Sequence, residues 1–199
     1  MNKMNRVFAG CVVLNSDSYV VDYTNDDDKD IAKRGVEITT MNPGYKHGAF
    51  HLIDNSGVDY NSVNFEHTPA FFMGKDGKKF RNCECMFSSC YAKKRKWMLL
   101  LEMKYGKEKN IKENAEDALD ELEKTKDRLF EKGVLNYDEY RLYFDISFPE
   151  YTSREPFQSF LFSPNELLAY KEKQKVNLMG YNCIMVANGA YLRPVYSLF

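Results

Sequence analysis

Glu102 and Lys104 stand two residues apart in the apolar run KWMLLLEMKYGK, residues 96–107. In an extended chain side chains alternate between faces, so Leu99, Leu101, Met103 and Tyr105 line one face and Met98, Leu100, Glu102 and Lys104 the other. An acid and a base then project together from the end of a buried strand, either as a salt bridge at a sheet edge or as the beginning of an active site. A second acid, Glu84 in CEC, lies 18 residues upstream, which leaves room for two strands and a connection. Two carboxylates on neighbouring strands can hold magnesium, a hard cation that takes oxygen ligands and keeps several waters. A lysine beside them can orient a water and stabilise charge developing on phosphorus oxygens. Taken alone, Glu84 also reads as part of an edge strand whose flanking thiols turn inward.

The elements that must position these residues follow from the hydrophobic pattern. KDGKKFRNCECMF reads as a turn feeding a strand at about 80–87, and KWMLLLEMKY as a second strand beside it after the basic connection YAKKRK. The apolar spacing of Ile111, Ala115, Ala118, Leu119, Leu122 and Leu129 predicts an amphipathic helix from about Asn110 that stops at Gly133. YRLYFDISFP is a strand ended by Pro149. A second helix, in SPNELLAYKEKQKVN, opens with Ser163 as cap and Pro164 in its first turn, and YNCIMVAN is a last strand. Upstream, two β-rich runs around Asn15-Ser16-Asp17 suggest a hairpin, and DDDKD a polar loop or helix start. The stretch 35–74 is irregular. From residue 80 the order is strand, strand, helix, strand, helix, strand, so the fold class is α/β with a central mixed β-sheet flanked by helices.

Glu84 on one strand, Glu102-Met103-Lys104 at the end of the next, and the helix from Asn110 together resemble the core of the PD-(D/E)xK nuclease superfamily. The likeness covers about residues 80–146; the upstream acid is Glu where that pattern has Asp, and no Pro precedes it. The resemblance implies a restriction-endonuclease-like sandwich and a magnesium- or manganese-dependent phosphodiesterase acting on DNA or RNA. Glu84 and Glu102 would be the metal ligands, and Glu84, Glu102 and Lys104 the catalytic set. Members often add an acid from the first helix, a role for which Glu66 or Glu37 comes into view. The alternative is an inactive nuclease-like domain that serves as a nucleic-acid- or protein-binding module.

Composition narrows the classes. The 199 residues suit a single α/β domain, with a β-rich part over 1–74 and the nuclease-like core over 75–199. Residues 1–74 would complete the sheet, cover the site or provide a homodimer surface. With 44% apolar and 29% charged residues the chain is globular rather than disordered. Its net charge of -1 excludes a uniformly basic nucleic-acid binder, yet between Lys75 and Lys109 eleven Lys and Arg face four acids. Lys78, Lys79, Arg81 and the run Lys93, Lys94, Arg95, Lys96 read either as a phosphate-backbone track beside the acids or as a solvated hairpin connection, with Tyr91 and Trp97 interleaved.

Five cysteines, an odd number, suit reduced thiols in the cytoplasm. The apolar stretch before Cys11 is too short for a signal peptide, and no run is long enough to span a membrane. Cys83, Cys85 and Cys90 lack the second pair that zinc would need, and His47 and His51 lack a helical context. No glycine-rich phosphate loop and no G-x-S-x-G are present.

Overall fold

A computed structural model describes residues 3–24 and 26–195. The chain begins with helix α1 (Lys3–Val7), strands β1 (Val12–Leu14) and β2 (Ser18–Asp22), helix α2 (Lys29–Ala32), and strands β3 (Val36–Thr39), β4 (Phe50–Ile53) and β5 (Tyr60–Asn64). After a long connection come β6 (Cys85–Ser89), β7 (Lys96–Met103), α3 (Ile111–Glu131), β8 (Tyr140–Ser147), α4 (Pro164–Gln174), β9 (Val176–Met179), β10 (Cys183–Asn188) and β11 (Tyr191–Pro194). They form two mixed sheets, one of six strands ordered β1-β5-β6-β7-β8-β9 and one of five ordered β11-β10-β4-β2-β3.

The six-stranded sheet carries the acid and the base. β5, β6 and β7 run antiparallel in turn, and β7, β8 and β9 are parallel, joined by α3 and α4 as crossovers. The alternation expected for β7 holds on both faces. Met98 and Leu100 pack with Leu142, Phe144 and Ile146 under Ala115, Ala118, Leu122 and Leu129 of α3. Trp97, Leu99, Leu101 and Met103 pack with Val20, Phe50 and Leu52 of the five-stranded sheet. Three layers result, with helices, six strands and five strands stacked in that order. The helices therefore cover one face of the central sheet only, and a second sheet covers the other.

That second sheet accounts for one correction to the sequence reading, and local pairing accounts for the others. The expected hairpin around Asn15-Ser16-Asp17 does not form, because β1 pairs with β5 in one sheet while β2 pairs with β3 and β4 in the other. Those three residues carry the chain across the sandwich. β9 occupies residues assigned to the tail of the second helix, which ends instead at Lys175 in a left-handed conformation. β6 begins at Cys85, later than the predicted strand, because the Phe80 N–H donates to the Phe72 carbonyl (2.8 Å) and the Cys83 N–H to Thr125 Oγ1 (2.8 Å) instead of to a neighbouring strand. Asp28 caps α2, so DDDKD is a helix start, and Ser163 with Glu166 forms a reciprocal capping box on α4. No helix among the described residues is long and apolar enough to cross a membrane.

Candidate active site

β7 delivers Glu102 and Lys104 at its carboxyl end, on the face that meets α3. Strand pairing of Glu102 with Ile146 and the bond from the Lys104 N–H to the Ser147 carbonyl (2.9 Å) hold that end against β8. Lys104 Nζ lies 2.8 Å from Glu102 Oε1, 2.8 Å from Glu121 Oε2 and 3.4 Å from Asp117 Oδ2. Glu121 and Asp117 are one helical turn apart on α3, so both reach the strand end. Arg81 closes the network from outside, with its guanidinium 2.5 Å from Asp117, 2.7 Å from Glu121 and 3.3 Å from Asp120.

Glu84 sits in the bend just before β6. Its N–H donates to Glu102 Oε2 at 3.1 Å and to the Leu101 carbonyl at 3.2 Å, which fixes it against the carboxylate on the neighbouring strand. One carboxylate oxygen, Oε2, is buried without a hydrogen-bond partner. Glu84, Glu66, Glu121, Lys79 and Arg81 line a cleft of about 320 Å³ at this end of the sheet. Sequence reasoning thus brings Glu84, Glu102 and Lys104 to one place, and Lys79 and Arg81 beside them. Glu66 borders the cleft but spends one oxygen on the Val36 N–H (2.9 Å), and Glu37 is paired with Arg34. The acids from a helix are Asp117 and Glu121, which sequence reasoning missed. Their signal was their spacing of four residues along the edge of the buried stripe Ala115, Ala118, Leu122.

The electrostatics follow from crowding. Burial pushes the Glu84 carboxyl well above the usual range, and the neighbouring carboxylates of Glu102 and Asp22 push it further. Burial also raises Glu102, and its hydrogen bond with Glu121 adds to the shift. Glu121 feels burial as well, but bonds from Glu102, Lys104 and Arg81 hold it below its ordinary value. Burial disfavours a charged Lys104, and the carboxylates of Glu102 and Glu121 more than offset this. Four carboxylates, Glu84, Glu102, Asp117 and Glu121, share two cations, Lys104 and Arg81. The raised carboxyls of Glu84 and Glu102 answer that excess, and a divalent cation would balance it.

The donor set suits magnesium or manganese better than zinc. Among the described residues no group of three or more His, Cys, Asp or Glu side chains is placed to hold a metal ion, whereas magnesium takes one or two carboxylates and keeps water on its other positions. The orphaned Oε2 of Glu84 offers one such oxygen. The other ligand candidates do not converge. Cys83 and Cys85 are buried thiols whose pKa values burial raises. His47 bonds Glu150, and His51 bonds Asp17 (2.9 Å) while stacked on Tyr19.

The predicted basic track divides in two. Lys78, Lys79 and Arg81 lie at the acid end, but Lys93, Lys94, Arg95 and Lys96 lie at the opposite end of β7, about 20 Å away at ~3.3 Å per residue. They are therefore not beside the acids. Lys96 is tied to Glu139 (2.6 Å) and the Tyr140 hydroxyl (3.1 Å). Trp97 is fully buried between the sheets, so it offers no ring to a base, whereas Tyr91 is 72% exposed. Compared with protein families, curated proteins and solved structures, the chain matches none.

Proposed function

We propose that the chain is a metal-dependent phosphodiesterase acting on DNA or RNA, with Glu84, Glu102 and Lys104 at its centre. The observation that carries this reading is the buried, partnerless carboxyl oxygen of Glu84, a residue whose backbone N–H donates to the Glu102 carboxylate, with Lys104 Nζ 2.8 Å from Glu102, beside a cleft that Glu84 and Glu121 line. The strand order supports it. Three antiparallel strands followed by a helix and a parallel strand place the acids at the carboxyl end of β7, where ligands gather on open α/β sheets. The finer fold reading, a restriction-endonuclease-like sandwich with one helical layer replaced by a sheet, rests on the same order.

Glu84 and Glu102 would hold magnesium or manganese. When bound, the cation supplies Lewis-acid polarisation of the phosphate and lowers the pKa of a coordinated water. Lys104 keeps its proton and presents positive charge where the phosphate oxygens gain negative charge. Asp117 and Glu121 fix the position of the ammonium, and Arg81 holds those two acids in place. Lys78 and Lys79, which carry no ion pair among the described residues, would meet the substrate backbone.

The closure of Lys104 and Arg81 by the α3 acids favours the second reading, a non-cleaving nuclease-like module that binds nucleic acid or protein. The test is cleavage of single- and double-stranded DNA and RNA with Mg²⁺ or Mn²⁺, beside Glu102→Gln and a chelator control. Thermal melting with Mn²⁺ gives a second readout. Cleavage lost in both controls, together with a Mn²⁺-dependent rise in Tm that Glu84→Gln removes, supports the enzyme. Neither signal on any substrate refutes it.

A further inference from the structure

At the far end of the sandwich from the acids, two adjoining clefts of about 760 and 550 Å³ share Arg95, Arg141 and Tyr191 as their common wall. Their rims carry six cations, Lys93, Lys94, Arg95, Arg141, Lys171 and Lys175, and Asp59 is the one acidic side chain among the lining residues. In a chain of net charge -1 this concentration is local. Among the described residues none of the six is drawn into an ion pair. Arg141 is oriented rather than neutralised, since it donates to the Ala190 carbonyl at 3.0 Å and lies 3.8 Å over the Tyr191 ring.

The groove is preformed. The β6–β7 connection makes one side and the β10–β11 turn the other, and the Gly189 carbonyl ties them together by accepting from the Ser89 hydroxyl (2.5 Å) and the Trp97 N–H (3.3 Å). Gly189 approaches the Tyr91 backbone so closely that no Cβ would fit. Two aromatic rings border this positive floor, Tyr91 with 72% and Tyr191 with 48% of their surface exposed. Cations that follow a backbone and rings free to stack on bases are what a single strand requires, whereas a duplex hides its base faces.

We infer that this groove is a binding site for single-stranded nucleic acid, held through the six cations and stacked on Tyr91 and Tyr191. It rests on the proposed nuclease reading only for the chemical class of its ligand, because the groove lies a strand's length from the acid centre. A strand that occupies both would have to span about 20 Å, about six nucleotides at ~3.4 Å each, so shorter strands fill the groove alone.

The test is fluorescence anisotropy in EDTA with the Glu102→Gln protein, so that nothing is cut. The probes are labelled oligo-dT and oligo-U of a dozen nucleotides, a duplex of equal length, and inorganic polyphosphate as competitor. Single strands are expected to bind at least tenfold tighter than duplex. The logarithm of the affinity should fall with the logarithm of salt at a slope of about −3 to −4, as four to six contacts on a single strand require. Lys94→Glu with Arg95→Glu should cost tenfold or more and Tyr91→Ala about fivefold or more. Equal binding of duplex, or polyphosphate displacing the strand with Tyr91→Ala silent, would overturn the inference. Cleavage can fail in the separate assay while this binding stands, and the reverse.

Discussion

Replacing Lys104 by Met removes the one ammonium that Glu102, Glu121 and Asp117 share, at distances of 2.8, 2.8 and 3.4 Å. Lys104 is 20% exposed and Glu102 only 5%, so water cannot fully replace the lost partner. Breaking such a buried pair from one side costs about 3–5 kcal/mol. Arg81 remains on Glu121 and Asp117, which puts the expected loss at the lower end, about 3 kcal/mol, or about 6–12 °C in Tm for a chain of this size. The loss depends on pH. Burial already raises the Glu102 carboxyl, and removing the ammonium raises it further. The folded protein then holds a proton that the unfolded chain releases, so stability falls as pH climbs above the ordinary carboxylate range. Thermal melts of the two proteins from pH 5 to pH 8 should therefore show a Tm gap that widens with pH. Adding Glu102→Gln to Lys104→Met should recover most of it. A gap below about 2 °C throughout, or one that narrows as pH rises, refutes the electrostatic account.

Three further outcomes are expected. Asp145 in β8 is fully buried, accepts from the Tyr181 N–H (3.0 Å), leaves Oδ2 without a partner, and has its pKa raised by burial. Asp145→Asn should gain Tm over the parent increasingly from pH 5 to pH 8, because the parent pays to ionise a buried acid there; parallel melting curves would contradict this. Because burial raises the Glu84 and Glu102 carboxyls, Mn²⁺ held by them competes with protons, so its affinity in calorimetry should rise as pH climbs above the ordinary carboxylate range, with measurable proton release. A pH-independent affinity would place the ion elsewhere. Gly189→Ala forces a Cβ into the Tyr91 carbonyl and should lower Tm by about 2–12 °C, from ~1–3 kcal/mol of overpacking, and an unchanged Tm would mean that the hairpin moves freely.

What the sequence disclosed was local. β7, α3 and β8 follow from strict periods of two and 3.6, because each buries a full face against one neighbour. The second sheet was hidden because its strands are short, of four to six residues, and lie far apart in the chain. β9 was absorbed into the preceding helix because only a left-handed Lys175, with no glycine to announce it, separates them. Glu84, Glu102 and Lys104 were found because adjacent antiparallel strands bring sequence neighbours together. Asp117 and Glu121 escaped because an acid on a helix facing the strand looks like any solvated residue. The separation of Lys93–Lys96 from the acids was missed, although a buried strand of eight residues puts its two ends on opposite sides of the molecule.

The parallel pairing of β4 with β10 joins residues as distant as His51 and Cys183. During synthesis β2, β3 and β4 emerge early, but the strand that seals the edge of β4 comes only after both helices of the other layer. Until then β4 presents an open row of backbone donors and acceptors beside an uncovered apolar face. The six-stranded sheet, with its helical crossovers, can assemble before the five-stranded one closes. Refolding should therefore be slow, limited by a contact of high sequence separation, and a ribosome-stalled chain ending before residue 183 should be prone to strand-edge association.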